Sequence, residues 1–235
     1  MPETRKPVPV ILFAVTIFVS AFLLFQVQPL IGKYILPWYG GSTSVWTICM
    51  LFFQLMLLAG YCYSHFIVKY LSRRGQGVLH TTLLVVTLTL LPITPGPEWK
   101  PNSSDEPTLS ILVLLTISVG GPYFLLAATA PLLQSWFHGS HRKSPFRLYA
   151  LSNAGSLLAL FSYPFVVERL LRSEMQTWVW SACYAAFAIL CGWCAFAGLT
   201  EDTVPESANS TLPARDGGKS CDRSLSDVRF QEVLL

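Results

Sequence analysis

Long apolar runs without a charged side chain alternate with short polar segments along most of the sequence. The runs cover residues 8–32, 34–64, 75–97, 107–137, 148–167 and 175–200. Each run can cross a hydrocarbon core of about 30 Å, which takes about 20 helical residues. The pattern therefore predicts an all-α, polytopic membrane bundle of about six transmembrane helices, near residues 9–31, 43–68, 77–94, 109–137, 148–167 and 176–199, within one domain over residues 1–199.

The end of the chain has a different character. Residues 200–235 are polar and charged, with few large apolar side chains before the last residues. Such a segment cannot bury enough apolar surface to offset the entropy lost on ordering. We expect a disordered cytoplasmic tail or a linker there.

Composition and charge agree with a location in lipid. Hydrophobic residues make up 52% of the chain and charged residues only 12%, whereas about a quarter of a soluble domain is charged. Lys and Arg are more frequent before the first run and in the segments that follow the second and fourth runs. This bias favours cytoplasmic placement of both termini. The net charge of +3 is too small to indicate nucleic acid as a partner.

Polar side chains within the predicted spans indicate which helix faces avoid lipid. An unpaired polar group in the hydrocarbon core costs roughly several kcal/mol of free energy. On the second helix, polar residues recur on one face at helical spacing. The candidate lining residues of a shared central cavity are Gln26, Gln28, Gln54, Tyr61, His65, Gln134 and Asn153. The alternative is that each one serves interhelical packing. No Asp or Glu lies mid-span, so coupling through a buried carboxylate is not expected.

Helix ends and close contacts also leave signals. In the stretch "FQVQPLIGKYILPWYGGSTSVW" (residues 25–46), Lys33 can extend to the headgroups, and Pro37 with Gly40-Gly41 ends the first helix. The hydroxyls that follow can cap the second helix. A kink is expected near Pro122. The small residues Gly155 and Ala159 have the spacing that allows two helices to approach closely.

The sequence contains no pattern that indicates catalysis. Cys191 and Cys194 have C-x-x-C spacing, which within a membrane helix is more simply two small residues on one face. His138 and His141 stand beside cationic side chains, which oppose a divalent metal. There is no nucleophile elbow, phosphate loop or dinucleotide fingerprint. We expect neither an enzyme nor a metal or cofactor site.

Several stretches together resemble a known family: "FQVQPLIGKYILPWYGGSTSVW", "FFQLMLLAGYCYSH", "ATAPLLQSWF" and "YALSNAGSLLALFSYPFVVE". They are similar to the membrane portion of bacterial fused major-facilitator/spermidine-synthase-like proteins. The resemblance implies half of a major-facilitator bundle in a bacterial inner membrane. It also implies a soluble domain that binds decarboxylated S-adenosylmethionine and a polyamine. About 35 residues of tail are too few for such a domain, so spermidine synthesis is not expected of this chain.

Two functions remain open from the sequence. The first is a transporter-like module with an inward polar cavity for a small polar or cationic solute, which self-associates into a twelve-helix unit. The second is a membrane anchor, without transport, for a separate synthase-like partner domain. The inward polar faces favour the first function, and the polar tail favours the second.

Overall fold

The computed structural model describes residues 10–96, 107–141 and 146–199, in which every regular element is helical. The helices are α1 (Val10–Tyr39), α2 (Thr43–Tyr70), α3 (Arg73–Leu88), α4 (Pro107–Leu115), α5 (Gly121–His141), α6 (Phe146–Ser162), α7 (Glu168–Leu170) and α8 (Ser173–Leu199). Two π-helical turns, Thr116–Gly120 and Tyr163–Val167, join α4 to α5 and α6 to α7. The predicted all-α class is confirmed. The predicted tail lies outside the described residues.

The helices have the length and composition of a multi-pass membrane protein. Five helical segments are long and apolar enough to cross a bilayer: Val10–Tyr39, Thr43–Tyr70, Thr108–His138, Phe146–Leu170 and Ser173–Ala197. The helix α3 has 16 residues, fewer than the roughly 20 that a full crossing takes. It begins and ends earlier than the expected 77–94, because Ser72 caps its start and Pro92 disfavours helix in the residues before it.

The corner between α1 and α2 forms as the sequence indicates, although α1 continues past its expected end at residue 31. Pro37 lies in the last turn, where its missing N–H removes only one hydrogen bond of the helix. Gly40 then takes a positive φ of 80°, which ends the helix. The Ser42 hydroxyl accepts a hydrogen bond of 3.4 Å from the Val45 N–H and caps α2.

Lys33 has a closer partner than the headgroups expected from the sequence. Its Nζ lies 3.4 Å from Oε1 of Glu168, and both side chains are partly exposed. The ion pair joins the last third of α1 to α7. Pairs of this kind in contact with water contribute about 0–1 kcal/mol, so the contact orients the two helix ends more than it stabilises them.

The helices α1 and α5 occupy the centre of the bundle. The helix α6 packs against α1 and α2 packs against α5, while α3 and α8 pack on the opposite side of the central pair. We call the end at which α1 begins the N-terminal end. Because successive long helices alternate in direction, α2, α5 and α8 finish at the N-terminal end, and α3 and α6 begin there.

Two glycines bring helices into backbone contact. A Cβ at Gly60 of α2 would lie 2.8 Å from the Ala127 Cβ and 2.9 Å from the Phe124 carbonyl oxygen on α5. A Cβ at Gly155 of α6 would lie 2.8 Å from the Phe18 carbonyl oxygen on α1. Ala159, one turn after Gly155, is fully buried. The close approach expected at Gly155 and Ala159 is thus confirmed.

Both π-helical turns lie next to a proline. Pro122 follows the first turn, and Pro164 is the second residue of the other turn. A proline lacks the N–H that an α-helix needs, and its ring collides with the carbonyl group four residues earlier. One wider turn removes that collision without ending the helix. Near Pro122, where the sequence predicts a kink, the structure has a π-helical turn.

Substitution of Gly60 by alanine tests the close approach of α2 and α5. We expect Gly60→Ala to lower the free energy of unfolding by about 1–3 kcal/mol, because the new methyl group meets backbone atoms that cannot move aside. The matched control is Gly192→Ala, whose Cβ has no neighbour closer than the Thr81 methyl carbon at 3.6 Å. Thermal unfolding of the purified protein should separate the two variants, and equal midpoints would contradict this packing.

Candidate solute-binding cavity

A cavity of about 520 Å³ lies between α1, α2, α5 and α6. The helices α1 and α5 form its floor, and α2 and α6 form its walls, since each wall helix packs on a central helix rather than on the other wall. The residues that line it are Ser20, Ala21, Leu24, Phe25, Leu57, Tyr61, Leu126, Ala127, Ala130, Pro131, Gln134, Tyr149, Ser152, Asn153, Ser156, Leu157 and Leu160. None of these side chains is charged.

Polar and apolar lining residues occupy different ends of the cavity. Gln134, late in α5, and Tyr149, early in α6, lie nearest the N-terminal end of the bundle, and Asn153 follows one turn further along α6. Leu157 and Leu160 come next on the same helix. The wall formed by α6 therefore changes from polar to apolar along its length.

Some hydroxyl groups of the lining are already used within the bundle. Ser20 donates a hydrogen bond of 3.2 Å to the Leu126 carbonyl oxygen, which joins α1 to α5. Ser156 donates one of 3.0 Å to the Ser152 carbonyl oxygen in its own helix. The side chains without a hydrogen bond among the described residues are Tyr61, Gln134, Tyr149, Ser152 and Asn153. These groups are available to a bound molecule.

The cavity contains three of the residues expected to share one. Tyr61, Gln134 and Asn153 line it, on three different helices. Gln54 and His65 are exposed on the surface of α2, outside the lining. Since they lie on the same helix as Tyr61, a polar stripe does not by itself identify the side of the helix that meets a cavity.

The two glutamines of α1 lie outside the lining, Gln26 buried and Gln28 partly buried. Gln28 Nε2 donates a hydrogen bond of 2.9 Å to Tyr123 Oη on α5. Gln26 is 5% exposed, and its Oε1 has no partner among the described residues. Neither side chain lines the cavity. Gln28 thus has a structural role, as the packing alternative proposes.

His80 is the most deeply buried polar residue of α3 and is not among the residues predicted from the sequence to form a site. The side chain is fully buried, and its Nε2 lies 3.1 Å from Thr129 Oγ1 on α5. Thr129 donates its only hydroxyl hydrogen to the Leu125 carbonyl oxygen, at 2.6 Å. The hydrogen of the His80 contact must therefore come from Nε2, which fixes the neutral tautomer. The regular spacing of Gln76, His80 and Thr87 along α3 is the signal that could have shown this buried face.

A polar cluster beside His80 connects the helices at the N-terminal end. Trp136 Nε1 donates a hydrogen bond of 2.8 Å to Gln76 Oε1, and the Arg73 guanidinium lies 3.7 Å from the centre of the Trp136 ring. Cys191 and Cys194 are fully buried in α8, as the packing interpretation of the C-x-x-C spacing expects. Among the described residues, no group of three His, Cys, Asp or Glu side chains could hold a metal ion.

Comparison with known proteins identifies no relative of this chain. No protein-family model, curated protein or solved structure matches the chain. The family resemblance therefore depends on the quoted sequence stretches alone.

Water access distinguishes the lining from the packed interior. In a variant whose cysteines are all replaced by alanine, we expect a single cysteine in place of Gln134 or Asn153 to react with a small water-soluble thiol reagent. A cysteine in place of Leu132, which is fully buried on α5, should not react. Mass spectrometry after timed labelling measures the rates, and equal protection at all positions would contradict an open cavity.

Proposed function

We propose that the chain is a transporter-like membrane module whose cavity holds a small, uncharged solute. The observation that supports this function is the set of unpaired polar side chains in the lining, on the opposed walls and the floor of one cavity. Tyr61 is on α2, Gln134 on α5 and Asn153 on α6. Tyr61 and Asn153 are exposed within membrane-spanning helices, where a polar side chain needs protein, water or a bound molecule as its partner rather than lipid.

The charge of the lining separates the two solute classes expected from the sequence. An organic cation would give up hydration on entry and would find no carboxylate among the lining residues. A neutral solute has no such cost, and the amides of Gln134 and Asn153 can both donate to it and accept from it. An uncharged solute is therefore favoured over a cationic one.

Transport by this module requires a second bundle, since alternating access arises when two halves move about a site between them. We propose that two copies of the chain associate through their α2 and α6 sides. The exposed Gln54, midway along α2, supports this arrangement, because a side-chain amide in contact with lipid lacks hydrogen-bond partners. The resemblance to half of a major-facilitator bundle is in agreement with it.

Solute binding and solute movement can be measured separately. In lipid nanodiscs, we expect uncharged polyols, amides or glycosides to raise the thermal midpoint of unfolding. At a solute concentration of a hundred times the dissociation constant, the added stability is about 2.7 kcal/mol. Gln134→Leu should remove the effect, and Thr116→Val, which changes an exposed hydroxyl outside the lining, should retain it.

Proteoliposomes then test transport of any solute that stabilises the protein. We expect its release to be faster than from protein-free vesicles, and slower again with Gln134→Leu. Release at the protein-free rate would contradict transport and favour the anchor function.

A further inference from the structure

The separation of polar and apolar residues along the cavity identifies the class of molecule that fits it. We propose that the cavity binds an uncharged amphiphile, with its hydrogen-bonding end at the N-terminal end of the bundle and its apolar tail towards the middle. This inference rests on the proposed function, because it takes the cavity to be the solute site. It adds the chemical class of the solute and the direction in which the solute lies along the cavity.

Contacts between helices establish the order of the lining residues along the bundle. Ser20 on α1 meets Leu126 on α5, and Gly155 on α6 meets Phe18 on α1. Between the level of these two contacts and the N-terminal end of the bundle, the lining residues are Gln134 on α5 and Tyr149 and Asn153 on α6. The polar groups of α5 and α6 thus converge on one end of the cavity.

Leucine and phenylalanine side chains form the other end. The residues on that side of the Ser20 level are Leu24, Phe25, Leu57, Leu157 and Leu160. They come from α1, α2 and α6 and offer no hydrogen-bonding group. The alanine and proline side chains that α5 contributes to the lining are small, so they leave room for a bound molecule between the two ends. A molecule that was polar throughout would leave its hydrogen-bonding groups unpaired against this apolar end.

The head of the amphiphile must be neutral and must both donate and accept hydrogen bonds. Gln134 and Asn153 offer amide donors and acceptors, and Tyr61 and Tyr149 offer hydroxyls that can do either. Among the residues that the structure describes, no cationic or anionic side chain lines the cavity to pair with a charged head. Hydroxyl or amide head groups meet these requirements, and a carboxylate or an ammonium does not.

Photolabelling of the full chain in lipid nanodiscs tests both the class and the direction. The probes are two octyl glycerol ethers, one with a diazirine at the glycerol end and one with a diazirine at the tip of the tail. We expect the head probe to label α6 near Tyr149 and Asn153, and the tail probe to label it near Leu157 and Leu160. Reversed positions, or identical positions for both probes, would overturn the proposal.

Head-group variants and competitors give the second set of results. Gln134→Leu and Asn153→Leu should each reduce labelling by about fivefold, the effect of one lost hydrogen bond, while Thr116→Val leaves it unchanged. Unlabelled octyl glycerol should compete, and octyltrimethylammonium and octanoate should not. Equal competition by the charged amphiphiles would overturn the proposal. Gel filtration and circular dichroism check that each variant is folded.

The experiment separates failure of this inference from failure of the proposed function. Competition by glycerol as strong as that by octyl glycerol would overturn the amphiphile class and keep a polar-solute cavity. Labelling confined to lipid-facing residues, with none in the lining, would overturn both.

The length of the tail that fits can be changed independently of the head. Leu160 is part of the apolar end and is 47% exposed, so a larger side chain is tolerated there. We expect Leu160→Trp to weaken competition by decyl glycerol at least fivefold and to leave butyl glycerol unaffected. Unchanged competition by decyl glycerol would show that the tail does not reach Leu160, and an equal loss for both lengths would show that the effect does not depend on the tail. Either result would overturn the proposed direction.

Discussion

Backbone contact at Gly60 and Gly155 determines where the helices of this bundle separate. In lipid, helices associate by packing rather than by exclusion of apolar surface from water, so small residues decide which pairs can come close. Gly60 holds α2 against α5, and Gly155 holds α6 against α1. Each wall helix is held on a different central helix, and the cavity lies between α2 and α6. The site thus lies beside the two close approaches, and Ala127 and Ala21, which meet the two glycines, belong to its lining.

The sequence predicted the helical class, the corner at Gly40 and Ser42 and the close approach at Gly155. It placed a kink near Pro122, where the structure has a π-helical turn. These features depend on local chemistry, such as a missing N–H or an absent Cβ, which acts wherever the residue lies in the fold. The early end of α3 and the extension of α1 past Pro37 were not predicted, because apolar runs do not distinguish the last helical turn from the apolar loop that follows it.

The structure brings some of the predicted cavity residues together and places the others elsewhere. Tyr61, Gln134 and Asn153 line the cavity, whereas Gln28 bonds to Tyr123 in the interior. An amide in a membrane helix can serve either purpose, and only its partners show which one applies. His80 was missed although it is fully buried, since its bond to Thr129 joins helices that are distant in sequence. Polar content alone therefore does not separate a lining residue from a packing residue.

Spin-label accessibility in bilayers tests most directly whether the cavity side of α6 meets water rather than lipid. Asn153 lines the cavity, and Trp193, an exposed residue of α8 outside the lining, lies at a similar distance from the N-terminal end. A label at each position can be tested for collision with a water-soluble nickel chelate and with oxygen. We expect the chelate to reach position 153 far more often than position 193. Equal, oxygen-dominated collision at both positions would contradict a polar cavity between α2 and α6.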